Sequence, residues 1–67
     1  MSTLKQLSIF ISVAEKLRMS EAAKALYVSQ PTVSQTISDL EYELGVELFE
    51  RGHKQLLLTP HGQLLLT

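Results

Sequence analysis

Ser29-Gln30-Pro31-Thr32-Val33-Ser34-Gln35-Thr36-Ile37-Ser38-Asp39-Leu40 is the stretch from which the fold is read. Ser29 can cap the first free amides of a helix with its hydroxyl. Pro31 falls in the first turn, where a missing N–H costs nothing. Val33, Ile37, Leu40 and Leu44 follow at i, i+4, i+7 and i+11, one apolar stripe for burial. At roughly 100° per residue the opposite side carries Pro31, Gln35 and Ser38, with Thr32 and Ser34 flanking. That side is short, uncharged and rich in hydrogen-bonding groups. An ordinary solvated face more often carries Lys and Glu at i,i+4 spacing. Small amide and hydroxyl groups at a helix N-terminus suit a helix pushed end-first against a polar partner, such as the base edges and phosphates of DNA.

Sixty-seven residues make one small domain, near the lower limit for a self-sufficient core. The apolar fraction of 45% suffices for a compact three-helix unit and leaves no room for a second core. There is no cysteine, which removes disulfides and thiolate metal sites and suits a reducing compartment. No apolar run is long enough to span a bilayer, and Met1-Ser2-Thr3-Leu4-Lys5 lacks the layout of a signal peptide. A cytoplasmic location, with no membrane partner, is the expectation. The net charge of −1 stands against a nucleic-acid partner, since such modules usually carry a basic footprint. If DNA is the partner, affinity must come from local basic residues and from doubling of the site in a dimer.

Outward from the central stretch, Leu4, Leu7, Phe10, Ile11, Ala14 and Leu17 recur at helical spacing, so residues 4 to about 17 form a first helix, its stripe broadened by Ile9 and Val13. Ser20 is placed to cap a short second helix, with Glu21 at its positive end and Ala22, Ala23 and Leu26 facing inward. Tyr27-Val28 turn the chain at once into the Ser29 cap. Two helices joined so tightly, the second longer and polar at its start, form a helix-turn-helix. A glycine is often seen in such a turn; here Tyr27 or Val28 holds its place.

Gly45 can end the third helix (about residues 30–44) in the left-handed conformation. Glu41 and Glu43 near that end oppose the helix dipole, so packing must hold the terminus. Val46 to Arg51 and Leu56 to Thr59 flank a Gly52-His53-Lys54-Gln55 tip and read as a small hairpin, a wing, with Leu48, Phe49, Leu56 and Leu58 toward the core. Thr59-Pro60 starts a fourth helix with Leu64, Leu65 and Leu66 as its apolar face. The expected fold is mainly α: a winged helix-turn-helix with a three-helix core, a small β-hairpin wing and the start of a fourth, linker helix.

Residues 22 to 35, AAKALYVSQPTVSQ, closely resemble the signature of LysR-type transcriptional regulators, N-terminal DNA-binding domain. So do residues 40 to 51, LEYELGVELFER, and the closing Leu58-Thr59-Pro60-His61-Gly62. The resemblance runs over essentially the whole chain in the family's order. It implies a DNA-binding domain over 1–59 and the start of a linker and dimerisation helix over 60–67. It further implies a homodimer or higher homo-oligomer formed through the fourth helix in the intact protein. Because Gln63 to Thr67 stop within an apolar helical pattern, the chain is expected to be the leading part of something longer. An effector-binding domain would follow; a small-molecule effector would bind there, and no cofactor or metal is expected in this domain.

The resemblance also implies site residues. The family reads bases with the start of its third helix, which carries over to Gln30, Pro31, Thr32, Ser34 and Gln35, with Ser38 on the same side. Family members often have Arg where Gln35 stands. Gln favours adenine through N6 and N7 instead of gripping guanine or phosphate. Arg51 and Lys54 correspond to wing contacts with backbone and minor groove, and His53 shares that tip. Ser20 and Ser29 lie near phosphate-contacting caps. The bland alternatives are a solvated face for the third helix, pairing of Arg51 with Glu47 or Glu50, and a plain turn role for His53. Lys5, Lys16 and Arg18 read as solvated.

Catalysis has no support in the sequence. His53 and His61 lack carboxylate or thiol neighbours at metal-ligand spacing, and there is no phosphate-binding loop or nucleophile elbow. The expected function is sequence-specific binding of double-stranded DNA by a bacterial transcriptional regulator. The alternative is a winged-helix protein-interaction or dimerisation module without DNA binding, which the net charge and the absent arginine favour.

Overall fold

In a computed structural model that describes residues 3–67, the elements run α1 (Leu4–Lys16), α2 (Met19–Leu26), α3 (Gln30–Leu44), β1 (Phe49–Glu50), β2 (Leu57–Leu58) and α4 (Pro60–Leu66). Met1 and Ser2, part of the N-terminal stretch read above for a signal peptide, lie outside the described residues. Three helices pack on one another, and a two-stranded antiparallel hairpin pairs Phe49 with Leu58 and Glu50 with Leu57. This is the winged helix-turn-helix expected from the sequence.

Local chemistry sets most of the boundaries. Thr3 and Gln6 form a reciprocal capping box at the start of α1, the Thr3 hydroxyl accepting from the Gln6 amide at 3.1 Å and the Gln6 side chain accepting from the Thr3 amide at 2.8 Å. Ser29 caps α3 and Thr59 caps α4, each followed by a proline in the first turn. Gly45 closes α3 at φ 72°. Leu17 and Tyr27 close α1 and α2 in the same left-handed conformation although neither is glycine, both at φ 58°. Such residues cost about 1–2 kcal/mol each, offset by the tight reversals that stack α1, α2 and α3.

Two boundaries differ from the sequence reading. Leu17 is not the last turn of α1 but its cap, its amide bonded to the Val13 carbonyl. Ser20 is not the cap of α2; Arg18 holds that place without a side-chain bond, and Ser20 sits inside the first turn. The physical reason is the brevity of the connection. With Leu17 already reversing the chain, α2 must start at Met19 for Met19, Ala22 and Ala23 to reach the core.

The core consists of Ile9, Phe10 and Val13 from α1, Ala22 and Ala23 from α2, Val33, Ile37 and Leu40 from α3, and Leu48 and Phe49 from the wing. The Phe10 and Phe49 rings lie 5.5 Å apart, inclined at 48°, and join the wing to the helices. Leu56 and Leu58 pack half-buried against this core, as their pattern predicts. The α1 stripe is centred one step from the expected one. Ile9 and Val13 are central, whereas Leu4 and Ile11 are exposed, because the neighbouring helices cover only the flank around Phe10. Leu44 also stays exposed, on the last turn of α3 beyond its neighbours.

Of the three α4 leucines, Leu65 packs half-buried against the core, with Leu64 and Leu66 exposed. Gly62 is the buried residue there, so close to the wing that an added Cβ would collide with the Leu48 carbonyl oxygen and the Leu58 side chain. The Thr59 hydroxyl ties this corner together, accepting from the Gly62 amide at 3.0 Å and donating to the Glu47 carbonyl at 2.6 Å. Among the described residues no helix is long and apolar enough to cross a membrane.

Candidate nucleic-acid interface

The outward face of α3 begins at its cap. The Ser29 hydroxyl accepts from the Thr32 amide at 3.3 Å and shares a hydrogen bond with the Thr32 hydroxyl at 2.8 Å. Gln30, Pro31, Thr32, Ser34, Gln35 and Ser38 are all exposed, while Val33, Ile37 and Leu40 anchor the reverse side in the core. Gln30, Pro31 and Ser34 line one shallow depression. The Thr36 hydroxyl turns back to the Thr32 carbonyl at 2.8 Å and leaves the face to its neighbours. Gln35 is not loose: its Nε2 donates to the Asp39 carboxylate at 2.8 Å, one turn on.

Beside this helix a groove runs between the start of α2, the start of α3 and the wing tip. Arg18, Ser20, Gln30, His53, Lys54 and Gln55 line it together with apolar side chains. The fold thus gathers Ser20, Gln30, His53 and Lys54 from three separate parts of the chain around one opening. Among the described residues that line it there is no carboxylate. Arg18 and Lys54 bring two positive charges to this groove, with the Glu50 carboxylate beside His53 at its edge, in a chain whose net charge is −1. The amide of Leu56 donates to the Leu17 carbonyl at 2.9 Å and holds the wing against the α1–α2 corner.

The wing's other cation is placed elsewhere. Arg51 reaches back to the Glu41 carboxylate at 3.4 Å and to the Phe49 carbonyl at 3.4 Å, so its partner is Glu41 and not Glu47 or Glu50. Glu50 faces His53 instead, at 2.9 Å. Glu41 also accepts from the amides of Leu48 at 2.7 Å and Phe49 at 3.3 Å. A residue that opposes the dipole of its own helix is thus the acceptor that fastens the wing to α3.

Sequence reasoning missed Asp39, Glu41 and Arg18 as members of this region. Asp39 had a usable signal, since Gln and Asp at i,i+4 meet on a helix surface. Glu41 had a weaker one, in its unfavourable position near a helix end.

A family model for bacterial regulatory helix-turn-helix proteins of the lysR family matches residues 4–63. The chain belongs to the LysR family. This LysR-family chain is 50% identical over 64 residues to a probable RuBisCO transcriptional regulator of Porphyra purpurea, covering 96% of this chain and 20% of that protein. It is 44% identical over 66 residues to the SDS degradation transcriptional activation protein of a Pseudomonas strain, covering 98% of this chain and 22% of that one. The chain therefore spans about a fifth of the length of these LysR-type relatives.

Among solved structures, the BenM DBD in complex with catB site 1 DNA matches with a TM-score of 0.94 at 37% identity, over 97% of this chain and 73% of that one. The CbnR DBD–DNA complex matches with a TM-score of 0.93 at 45% identity, over 97% and 75%. The wing and helix arrangement described above is therefore that of LysR-family domains.

Proposed function

We propose that this chain binds double-stranded DNA as the DNA-binding domain of a bacterial LysR-type transcriptional regulator. The third helix, α3 (Gln30–Leu44), enters the major groove with its N-terminal residues, and the wing tip lies on the backbone or minor groove. The carrying observation is the exposed, uncharged, hydrogen-bonding face of α3 beside a groove lined by Arg18 and Lys54. The relatives solved with DNA support the same reading.

In the intact regulator the fourth helix pairs two copies, so the operator is a pseudo-palindrome with half-sites about one helical turn, or a multiple of it, apart. A small-molecule effector would act on a separate domain, and this domain works by binding and not by catalysis, in the cytoplasm. Selection of bound duplexes from a random pool, with retention measured at low and moderate salt, tests the reading. An interaction module without DNA binding would retain no duplex in a salt-sensitive way.

Two substitutions separate the two kinds of contact. Lys54→Ala is expected to flatten the slope of log affinity against log salt by ~1 with sequence preference unchanged. Gln35→Ala is expected to relax preference at one base pair, at a cost on the order of 1–3 kcal/mol against the preferred duplex. Equal weakening on every duplex tested would remove Gln35 from base reading.

A further inference from the structure

We propose that Asp39 is a positioning residue that makes Gln35 selective for adenine over guanine. The proposal deepens the DNA-binding reading above and rests on it. A glutamine amide has one acceptor oxygen and two N–H donors on one nitrogen. In the free protein one of those donors is committed to Asp39, at 2.8 Å. The oxygen and a single N–H remain to face outward.

That remaining pair matches the major-groove edge of adenine, which offers the N6 donor and the N7 acceptor. Guanine presents two acceptors, O6 and N7, on the same edge. A free glutamine could turn its NH2 toward both. With one N–H held by Asp39, turning the amide toward guanine leaves an acceptor of the base facing an oxygen or without a donor. Reversing the amide would set its acceptor oxygen against the acceptor-only Asp39 carboxylate, with no donor between them. Both side chains are exposed in the free chain, so the bond there is weak. Exclusion of water at a protein–DNA contact strengthens it where selection takes place.

Asp39 also brings a negative charge toward phosphates. Its removal therefore has two effects that can be separated: a rise in affinity for all duplexes, and a loss of discrimination at one base pair. Asp39→Asn removes the charge but keeps an oxygen at the same distance from Gln35. Asp39→Ala removes both.

The test measures binding of the chain and of the Asp39→Ala, Asp39→Asn and Gln35→Ala variants to a selected duplex and to its A·T-to-G·C substitutions, at one salt concentration. Thermal unfolding checks that each variant is folded, as expected for exposed positions. The expected result is that Asp39→Ala loses on the order of tenfold in adenine-over-guanine preference at the position that Gln35 reads. Asp39→Asn keeps more of that preference, and both bind all duplexes more tightly than the parent. If Asp39→Ala and Asp39→Asn gain affinity alike with the ratio unchanged, Asp39 acts only as a charge and the proposal is overturned while base reading by Gln35 stands. If Gln35→Ala changes preference at no base pair, base reading by Gln35 fails and the role of Asp39 falls with it.

Discussion

Phe49→Ala is expected to lower the stability of the domain by about 3–5 kcal/mol, the usual cost of deleting a buried phenylalanine side chain. Phe49 is 1% exposed, and its ring lies 5.5 Å from that of Phe10. It is also the residue of β1 paired with Leu58, so the cavity opens where the wing is anchored. A chain of 67 residues has a total stability of roughly 3–10 kcal/mol, and the variant stands near the edge of folding. Urea unfolding followed by circular dichroism measures the loss. Leu57→Ala, on the neighbouring strand but 40% exposed, is the control and should change stability by about 0.5 kcal/mol or less. A similar small change at Phe49 would mean that the wing is not part of the core.

Glu41→Ala is the second large effect, with an expected loss of about 2–3 kcal/mol from charge-assisted hydrogen bonds and unsatisfied amides. The carboxylate accepts from the Leu48 and Phe49 amides and pairs with Arg51, with only 13% of the side chain exposed. Alanine leaves both amides short of an acceptor in a place that water reaches poorly. Glu41→Gln keeps one oxygen for the amides and should lose about half as much, because its remaining bonds are neutral. Denaturant unfolding gives the totals, and hydrogen exchange at the Leu48 and Phe49 amides locates them. Unchanged exchange at both amides in Glu41→Ala would show that the carboxylate does not hold the wing. The consequence reaches the interface, since a wing released from α3 also moves Lys54 and His53 away from Gln30 and Ser20.

The two effects share a cause. The wing contains only two residues per strand, and a two-stranded hairpin is marginal by itself. Its place is determined by what it touches: Phe49 against Phe10, Glu41 beneath its first amides, Leu56 bonded to Leu17, and Thr59 and Gly62 closing the far side. The groove between wing and helices, which gathers the basic and amide side chains, exists only because these contacts set the wing at one distance from α2 and α3.

Local chemistry was readable from the chain alone. Ser29-Gln30-Pro31 and Thr59-Pro60 start helices, and Gly45 ends one, because a cap satisfies amides or carbonyls within a few residues of itself. Val33, Ile37 and Leu40 repeat with the helical period, and their burial follows from that repeat. The Thr3–Gln6 capping box has the same local character, its two bonds spanning three residues. Ser20 misled because a good capping residue was placed where a reversal at Leu17 had already forced the helix to begin.

What the amino-acid order determined by itself was therefore the set of helices, the turn between α2 and α3, the polar face of α3 and the family to which they belong. Only the tertiary structure decided that Leu4, Ile11 and Leu44 stay in solvent, that Arg51 turns to Glu41, and that Ser20, Gln30, His53 and Lys54 border one groove. Caps and periodicity depend on neighbours a turn away. Exposure and side-chain pairing depend on where distant elements end, and no local pattern encodes that distance.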